Sequence, residues 1–484
     1  MARPALLALL VVVLAGDAAA QRMSRPSADG EAARLYALGV EHEARRDFAA
    51  AAQAYEAAIA REPGLAVAHD RLGFVYGLQG RTADAIAQFE RACAADGGFF
   101  DAHYHLGATL WWSGQAERAL GSLQSAVRLQ PRHPEARYYF GLTLKKLGQL
   151  LPAIDELEAA ARLDPLVPAF ALQLGIALKD AGDAEGAIEQ LRRAAQLDPA
   201  SAEARNALGL ALLQHGNGEE ATETFRALVA SHPAFEAARL NLGTTLMQRG
   251  DLESAVAVLR ELTGRNPHHA EAFYNLGVAL KQQDDFAGAE AALRKAIALD
   301  PALPDAPFTL GVVLWQTGRS ADAVTSFRQA IAIRPGYDEA HYMLGTVLRQ
   351  LGDADGALVE FREAIRLQPS SPETHLGLGQ LLQQRGDRKG AEAEFAEARR
   401  LTQKKADVQA STFAVGVGRA RARDGDLQAA VAQFQRALTL APDNFEAHYE
   451  LAKAFAAIHR TAEARAHLDE ARRLAPHLRF RDVR

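Results

Sequence analysis

The chain has 484 residues, of which 49% are hydrophobic, 24% charged and 7% aromatic, and its formal net charge is −6. This composition is typical of a globular protein and excludes a mostly disordered or membrane-embedded chain. The mild acidic excess argues against a dedicated nucleic-acid binder, which usually carries a strongly basic face. A single cysteine, Cys93, excludes an intramolecular disulfide framework and a CxxC redox or zinc site.

The first twenty residues have the pattern of a secretory signal peptide. Arg3 supplies the positive start, residues 5–15 form an unbroken apolar run, and Ala18 and Ala20 precede Gln21 at the positions where cleavage requires small residues. The apolar run is shorter than the roughly 20 residues that span a bilayer, and no later stretch could span one. We therefore expect residues 1–20 to direct export to the periplasm or the outside of a bacterial cell, and residues 21–31 to form a polar linker.

From residue 32 to residue 478 the sequence repeats itself every 34 residues. Glycine holds one slot of the repeat, which becomes Ala452 in the last unit, and an alanine follows that slot twelve residues later in every unit. The glycines of this slot are Gly39, Gly73, Gly107, Gly141, Gly175, Gly209, Gly243, Gly277, Gly311, Gly345, Gly379 and Gly418. Thirteen units fit this range, so the chain is predicted to be an array of repeats.

Each unit has the pattern of two helices. In the unit that begins near residue 236, apolar residues recur at helical spacing over 237–248 and again over 252–262. Asp251 lies between the two segments and can cap the second helix. Glycine inside a helix costs about 1 kcal/mol relative to alanine, so its repeated use needs a packing reason. We expect the two helix backbones to approach each other closely at Gly243 and Ala255.

This spacing resembles the tetratricopeptide repeat family, whose members have 34-residue helix–turn–helix units. The family's pattern of small and large residues is found here as Leu344-Gly345, Leu348, Ala357, Phe361, Ala364 and Pro369. The family's usual first tryptophan is absent, and its slot holds mixed residues that include His69, His103, His341, His375 and His448. The resemblance implies an all-α fold, a right-handed α-solenoid of thirteen helix–turn–helix units whose first helices line a concave groove.

The repeat pattern changes near the carboxyl end. Five extra residues fall at 400–410, where Gln403 stands in the usual proline slot. We expect repeats 1–11 to span residues 32–410, the second helix of the eleventh repeat to run on, and the array to change direction at this joint. Repeats 12 and 13, residues 411–478, are expected to form a less regular terminal segment, and residues 479–484 a basic tail.

The sequence carries no pattern of an enzyme. Phosphate-binding, zinc-protease, calcium-loop and serine-hydrolase motifs are absent from these 484 residues, and because the repeats fill nearly all of them we expect no separate catalytic domain. His103 and His105 point to different helix faces and make a poor chelate, and His268 and His269 lie in a turn between repeats. We predict no catalytic site, no cofactor and no metal. Cys93 occupies a slot that is apolar in other repeats and is expected to be a small buried residue.

The resemblance also indicates where a partner would bind. In the family, ligands commonly contact the first helix at its second, fifth, ninth, twelfth and thirteenth positions. Here the second position is mostly acidic, the fifth is often tyrosine, and the twelfth is often basic or tryptophan. The candidate partner-binding residues are Tyr104, Trp111, Tyr138, Lys145, Lys179, Tyr274, Lys281, Trp315, Tyr342 and Arg349. Such a groove suits a peptide with both charge signs and some apolar anchors.

Two structural explanations compete with this assignment. Acidic residues in the first turn and basic residues in the last turn of a helix complement its dipole, which alone can account for the two charged rows. Tyrosines at the fifth position can act as wedges between adjacent repeats. Trp111 and Trp315 are harder to explain in this way, because they are expected near the exposed end of the first helix and tryptophan is enriched at binding hot spots.

The function predicted from the sequence is a non-enzymatic scaffold that binds a peptide or protein segment in its groove, in cell-envelope assembly or secretion. A carbohydrate-binding array in the periplasm is the alternative, since the groove Tyr and Trp side chains could stack on sugars. A third possibility, an enzyme whose site is built across repeats, lacks any convergent set of residues.

Overall fold

The computed structural model describes residues 30–480, and this part of the chain contains twenty-five α-helices and no strand. The helices are α1 (Glu31–Ala44), α2 (Phe48–Arg61), α3 (Ala66–Leu78), α4 (Thr82–Ala95), α5 (Phe100–Trp112), α6 (Ala116–Leu129), α7 (Pro134–Lys146), α8 (Leu150–Leu163), α9 (Pro168–Asp180), α10 (Ala184–Leu197), α11 (Ala202–Gln214), α12 (Gly218–Ser231), α13 (Glu236–Gln248), α14 (Leu252–Arg265), α15 (Ala270–Gln282), α16 (Phe286–Leu299), α17 (Asp305–Gln316), α18 (Ser320–Ile333), α19 (Asp338–Gln350), α20 (Ala354–Leu367), α21 (Pro372–Gln384), α22 (Arg388–Arg423), α23 (Leu427–Leu440), α24 (Phe445–Ala457) and α25 (Thr461–Leu474). The predicted signal peptide, all but the end of the linker and the last four residues of the basic tail lie outside the described residues.

The helices form antiparallel pairs that stack along the chain. Each odd-numbered helix up to α21 is the first helix of a repeat. Apart from α11, each of these first helices packs against the second helix that follows it, and α3, α5, α7, α9, α13, α15, α17, α19 and α21 also pack against the second helix before them. The chain divides into two compact units, one ending at Ala204 and one beginning at Arg205. In the first unit, and in the second unit up to repeat 11, the second helix of one pair packs against the first helix of the next pair, as expected for the all-α solenoid that the repeat pattern predicts.

The repeated glycine brings the two helices of a pair together. A Cβ atom at Gly141 would lie 3.1 Å from the carbonyl oxygen of Ala153 and 2.8 Å from Cγ of Leu157. The predicted approach to the alanine is therefore found at Gly141, whereas the atoms nearest to a Cβ atom at Gly243 belong to Leu259. The side chain that fills the space beside the glycine belongs to the residue sixteen positions later. Beside Gly311 this residue is Phe327, whose Cε1 would lie 2.7 Å from a Cβ atom placed on the glycine.

The turn inside each pair uses a left-handed residue, and in several pairs the next residue caps the second helix with its side chain. Gly250 has φ 79°, and the next residue, Asp251, accepts a hydrogen bond from the Ser254 amide at 3.3 Å, as predicted for a cap. Three repeats place a residue other than glycine in the left-handed slot, namely Arg46, Asp284 and His459, with φ between 59° and 62°. The turn geometry is thus preserved even where its usual residue is missing.

Histidines in the slot of the missing tryptophan tie the first helix to the turn before it. His341 is buried, and its Nε2 donates to the carbonyl oxygen of Pro335 at 3.1 Å. His375 makes the same bond to Pro369 at 3.1 Å. The carbonyl can only accept, so the ring nitrogen must be the donor. These imidazoles therefore have a structural role.

Helix α22 is far longer than any other described helix. It has 36 residues, whereas the second helices of the other repeats have 14, and it serves as second helix of repeat 11 and first helix of repeat 12. The expected continuation of this helix is therefore present. One hydrophobic core ends at Leu381, before the joint, and a separate core begins at Ala414, after it. No helix between residues 30 and 480 has the length and apolarity needed to cross a membrane.

Candidate binding surface on the first helices

The first helices of neighbouring repeats touch one another directly within each unit. In the first unit these are α3, α5, α7 and α9, and in the second unit α13, α15, α17, α19 and α21. The second helices pack mainly against the first helices on either side of them. The first helices are therefore the inner, more closely spaced layer of each unit, and we call the surface formed by their fifth and twelfth positions the first-helix face. All ten predicted site residues belong to these two positions.

Tyr104 does not offer a binding surface. It is only 4% exposed, and its ring stacks on Phe100 with centroids 5.9 Å apart and lies 5.2 Å from the ring of His133. Burial raises the pKa of Tyr104 well above its usual range. This corrects the prediction of an exposed groove residue, because the side chain acts as the wedge between α5 and the following repeat that the sequence left as an alternative.

The other three predicted tyrosines are half-buried. The ring of Tyr138 lies 4.8 Å from that of Phe170, and the ring of Tyr342 lies 6.1 Å from that of Phe361. Burial raises the pKa of Tyr138 and of Tyr274, so both hydroxyls stay protonated at neutral pH and can donate a hydrogen bond. Each ring wedges against its neighbours and keeps part of its surface on the first-helix face.

Trp111, Lys145 and Lys179 hold the twelfth position of three consecutive repeats in the first unit. The Trp111 ring lies edge-on to Trp112 with centroids 5.0 Å apart, which fixes its orientation. Nζ of Lys145 lies 3.5 Å and Nζ of Lys179 2.8 Å from the carboxylate of Asp180. Asp180 was not singled out from the sequence, and its carboxylate contacts both ammonium groups.

Lys281, Trp315 and Arg349 repeat this arrangement in the second unit. All three are half-buried and hold the twelfth position on α15, α17 and α19. Nε1 of Trp315 donates to Oε1 of Gln350 at 2.8 Å, so the indole is held by the next repeat. Nε of Arg349 is buried and has no hydrogen-bond partner among residues 30–480. Both rows combine one half-exposed indole with two cationic side chains, but the indole precedes the two cations in the first unit and lies between them in the second.

The acidic second-position row is partly used within the fold. Oδ1 of Asp305 accepts from Arg334 Nη2 at 2.7 Å and from the Tyr337 hydroxyl at 2.8 Å. Glu373 forms an ion pair with Lys405 at 2.9 Å. These contacts connect neighbouring helices, so the row contributes less free negative charge to the surface than the sequence suggests.

A polar cluster at the start of the first unit was not predicted from the sequence. The Tyr55 hydroxyl donates to Glu43 at 2.7 Å, and Nη1 of Arg71 donates to the same carboxylate at 3.2 Å. Nδ1 of His105 lies 2.8 Å from Oδ1 of Asp70, which is 3% exposed. The signal in the sequence was Asp70 itself, because it takes the fifth position, where most repeats have an aromatic or aliphatic residue.

The His105–Asp70 pair is an electrostatic link between two repeats. Burial lowers the pKa of His105, but attraction to Asp70 and the hydrogen bond with it outweigh burial and raise the pKa above its ordinary value of 6.5. Asp101 adds to the rise, and Arg71 opposes it. The pair joins α3 to α5 within the stack, which makes it a structural contact of the inner layer.

Residues 30–480 hold no cluster of three or more His, Cys, Asp or Glu side chains that could bind a metal ion. Cys93 is half-buried, and burial together with the nearby carboxylates of Asp70 and Glu90 raises the pKa of its thiol to about 12. Such a thiol is protonated at neutral pH and therefore a weak nucleophile.

By fold and surface, each unit is an α-solenoid of helix pairs with an aromatic and basic inner face. Models described as tetratricopeptide repeat and TPR repeat match residues 36–98, 172–234 and 418–458, so these segments are similar to tetratricopeptide repeats. A model of the cilia and flagella-associated protein 70 C-terminal domain matches residues 213–415. A model of anaphase-promoting complex, cyclosome, subunit 3 matches residues 79–160.

Solved structures of other repeat proteins are similar to parts of the chain. YrrB, described as a TPR protein with an unusual peptide-binding site, is 22% identical over 39% of this chain and 96% of its own, with a TM-score of 0.37. PilF of Pseudomonas aeruginosa is 23% identical over 43% of this chain and 94% of its own, with a TM-score of 0.38. The APC/C hetero-tetramer Cut9-Hcn1 is 15% identical over 92% and 94% of the two chains, with a TM-score of 0.34. A search of curated proteins found no match.

Proposed function

We propose that this chain is a non-enzymatic scaffold that binds a peptide or protein segment on the first-helix face. The observation that carries the proposal is the twelfth-position row, which places half-exposed tryptophan, lysine and arginine side chains on consecutive first helices in each unit. Tryptophan and arginine are enriched at binding hot spots. The preferred partner is a segment with an aromatic or aliphatic anchor flanked by carboxylates.

Several side chains of the twelfth-position row are already held by contacts within the chain, so they would lose little conformational freedom on binding a partner. Trp111 is held by Trp112, and Trp315 is held by Gln350, so neither indole needs to be ordered by the partner. Lys145 and Lys179 both contact the carboxylate of Asp180, which orients their ammonium groups. A carboxylate of the partner would meet positively charged groups at this position.

The cellular setting of the proposal rests on the amino-terminal sequence. The apolar run of residues 5–15 between Arg3 and Ala18 supports export. We infer that the scaffold works in the periplasm or outside a bacterial cell, in envelope assembly or secretion. Fractionation of cells that express a carboxyl-terminally tagged chain tests this part: recovery of a shortened chain outside the cytoplasm supports it, and a full-length chain confined to the cytoplasm contradicts it.

The binding surface is tested with two matched variants of the purified chain. One carries Trp111→Ala, Lys145→Ala, Lys179→Ala and Trp315→Ala. The control carries the same kinds of truncation away from the first helices, namely Leu166→Ala, Val359→Ala, Arg226→Ala and Lys295→Ala, all at exposed positions. Proteins are first captured from a cell-envelope extract, and synthetic peptides that cover their sequences are made. The binding of each peptide to the purified chain and its variants is measured by fluorescence anisotropy.

A partner of the first-helix face should bind the control like the unaltered chain and the first variant at least about tenfold more weakly, equivalent to about 1.4 kcal/mol. Equal binding to both variants would move the site away from this face. Displacement of the peptide by free oligosaccharide would favour the carbohydrate-binding alternative.

A further inference from the structure

Repeat 12 leaves uncovered a face that is buried in the other repeats. The third position of the first helix is fully buried in most repeats. It holds Ala102, Ala136, Ala238, Ala272, Ala306, Ala340 and Ala447, each 0% exposed. In repeat 12 this position is Phe413, which is 75% exposed. Seven residues further along the same face, Ala420 is also exposed, whereas its counterparts Ala279 and Val347 are fully buried.

Repeat 11 leaves the opposite face uncovered. Leu376, at the fifth position of α21, is 46% exposed. Phe395, on the first part of α22, is half-buried, although its counterparts Phe327 and Phe361 are 0% exposed. The two open faces thus lie on either side of the joint in α22.

The open faces of repeats 11 and 12 correspond to the two halves of the contact that joins adjacent repeats elsewhere in the chain. Three small hydrophobic clusters each combine the fifth position of one repeat with the third position of the next and with an alanine of the intervening second helix. The clusters are Tyr36, Ala68 and Ala58; Leu172, Ala204 and Ala194; and Phe308, Ala340 and Ala330. The counterparts at the joint are Leu376, Phe413 and Ala398. Leu376 and Phe413 are both exposed, so they do not pack on each other within one chain.

The uninterrupted helix explains why the two faces do not meet. A helix of 36 residues is about 54 Å long, whereas a 14-residue second helix is about 21 Å long. Residues 403–423 therefore run about 30 Å past the point where the chain turns back in other repeats. Lys405 pairs with Glu373 at the beginning of this projecting part, at 2.9 Å.

Phe413, the exposed residue on the repeat 12 face, indicates that another surface covers this face. Repeat 1 has no described repeat before it, and there the third position is the exposed, charged Arg34. Solenoid ends that face water carry polar residues in this way. Phe413 breaks that rule, because an exposed phenylalanine is unfavourable in water and suits a contact.

We propose that a second copy of this chain covers both faces, the repeat 11 face of each copy docking on the repeat 12 face of the other. The two docking contacts are equivalent, so the assembly closes as a two-fold dimer and leaves neither face open. The occupant is a second copy because the exposed faces have the residue pattern of the contact that already joins neighbouring repeats in this chain.

Light scattering of the purified chain during size-exclusion chromatography tests the proposal. We expect twice the chain mass for the unaltered protein and for Val359→Asp, which changes a 65% exposed residue on α20. Phe413→Asp should have the mass of a single chain with an unchanged circular dichroism spectrum. A single-chain mass for the unaltered protein, or a dimer that persists with Phe413→Asp, would overturn the proposal.

A disulfide measurement distinguishes a second copy from closure within one chain. The variant carries Cys93→Ser, Leu376→Cys and Phe413→Cys, and it is oxidised and run on a non-reducing gel. We expect a covalent dimer that dithiothreitol separates. A disulfide within a single chain would mean that α22 bends and repeat 12 stacks on repeat 11, and the absence of any disulfide would mean that another molecule covers the faces; either result contradicts the proposal.

Discussion

Single residues set how closely the two helices of each repeat approach. The glycine of the first helix has no side chain, and a Leu, Phe or Tyr from the second helix fills that space. The same slot recurs through the array, so one packing contact is used again and again. Its importance can be tested at a single site.

We expect Gly311→Ala to destabilise the protein by about 1–3 kcal/mol, because its Cβ atom would lie 2.7 Å from Phe327 and force a shift in a filled core. Urea unfolding followed by circular dichroism measures the change. Gly336→Ala is the matched control, since nothing lies within 4 Å of a Cβ atom there. Equal urea midpoints for the two variants would show that the close approach of the two helices at the glycine does not contribute to stability.

The buried His105–Asp70 pair should make stability depend on pH. The pKa of His105 is raised in the folded state above its ordinary value of 6.5. The pair therefore stabilises the fold fully below pH 6.5, and this contribution is lost as the pH rises through the folded-state pKa. We expect the difference in urea midpoint between the unaltered chain and His105→Gln to be largest below pH 6.5 and to shrink at alkaline pH. A difference that does not change with pH would contradict this assignment.

Among the helices, α22 differs from the rest because its middle is almost entirely exposed, although Lys405 in this part forms an ion pair with Glu373 on α21. Residues 403–410 are exposed at every position except Asp407, which is half-buried. Isolated helical segments of this length are marginal in water, since most helical stability in proteins comes from packing.

We predict that amides of residues 403–410 exchange with deuterium faster than those of residues 391–401 and 411–418, in the same helix. The flanking segments bury Ala391, Ala398, Ser411 and Ala414, which slows their opening. Hydrogen exchange read by mass spectrometry measures this, with α20 as an internal reference for a fully packed helix. Uniform protection along α22 would mean that its middle is covered.

On the scale of the second unit, the presence of two separate hydrophobic cores predicts that the repeats around each core unfold with their own free energy of unfolding. One core runs from Val256 to Leu381, and the other from Ala414 to Ala464. In a repeat array each repeat is stabilised by its neighbours, so a break between cores limits how far unfolding spreads.

We expect Phe434→Ala, which removes a fully buried ring, to cost about 3–5 kcal/mol and to unfold repeats 12 and 13 while repeats 8–11 stay folded. Limited proteolysis with mass spectrometry would show cleavage after residue 403 only. Phe361→Ala is the comparison, since Phe361 belongs to the first of the two cores and its loss should destabilise that core instead. Unfolding of both cores by Phe434→Ala would show that α22 couples them.

Most of the repeat architecture could be predicted from the sequence. The period of 34 residues, the glycine contact at Gly243, the cap at Asp251 and the continuation of the helix past Gln403 all concern residues that are close along the chain. Such local patterns decide helix ends and pair contacts, because turn and cap preferences act over a few residues.

The binding surface was predicted only in part, because exposure depends on how the next repeat stacks. Tyr104 and Tyr138 occupy the same position, yet the first is buried beside His133 and the second keeps an accessible part. Lys145 meets Asp180 across 35 residues of sequence, a contact that no local pattern indicates.

The sequence by itself therefore determined the repeat, the helix pairs and the position of the joint, since each follows from short-range chemistry repeated thirteen times. Only the tertiary structure decided which side chains of the rows are buried, that Asp70 joins His105, and that Phe413 faces water. The physical reason is that burial and ion pairing are properties of the contact between repeats, and that contact depends on the residues of two helices at once.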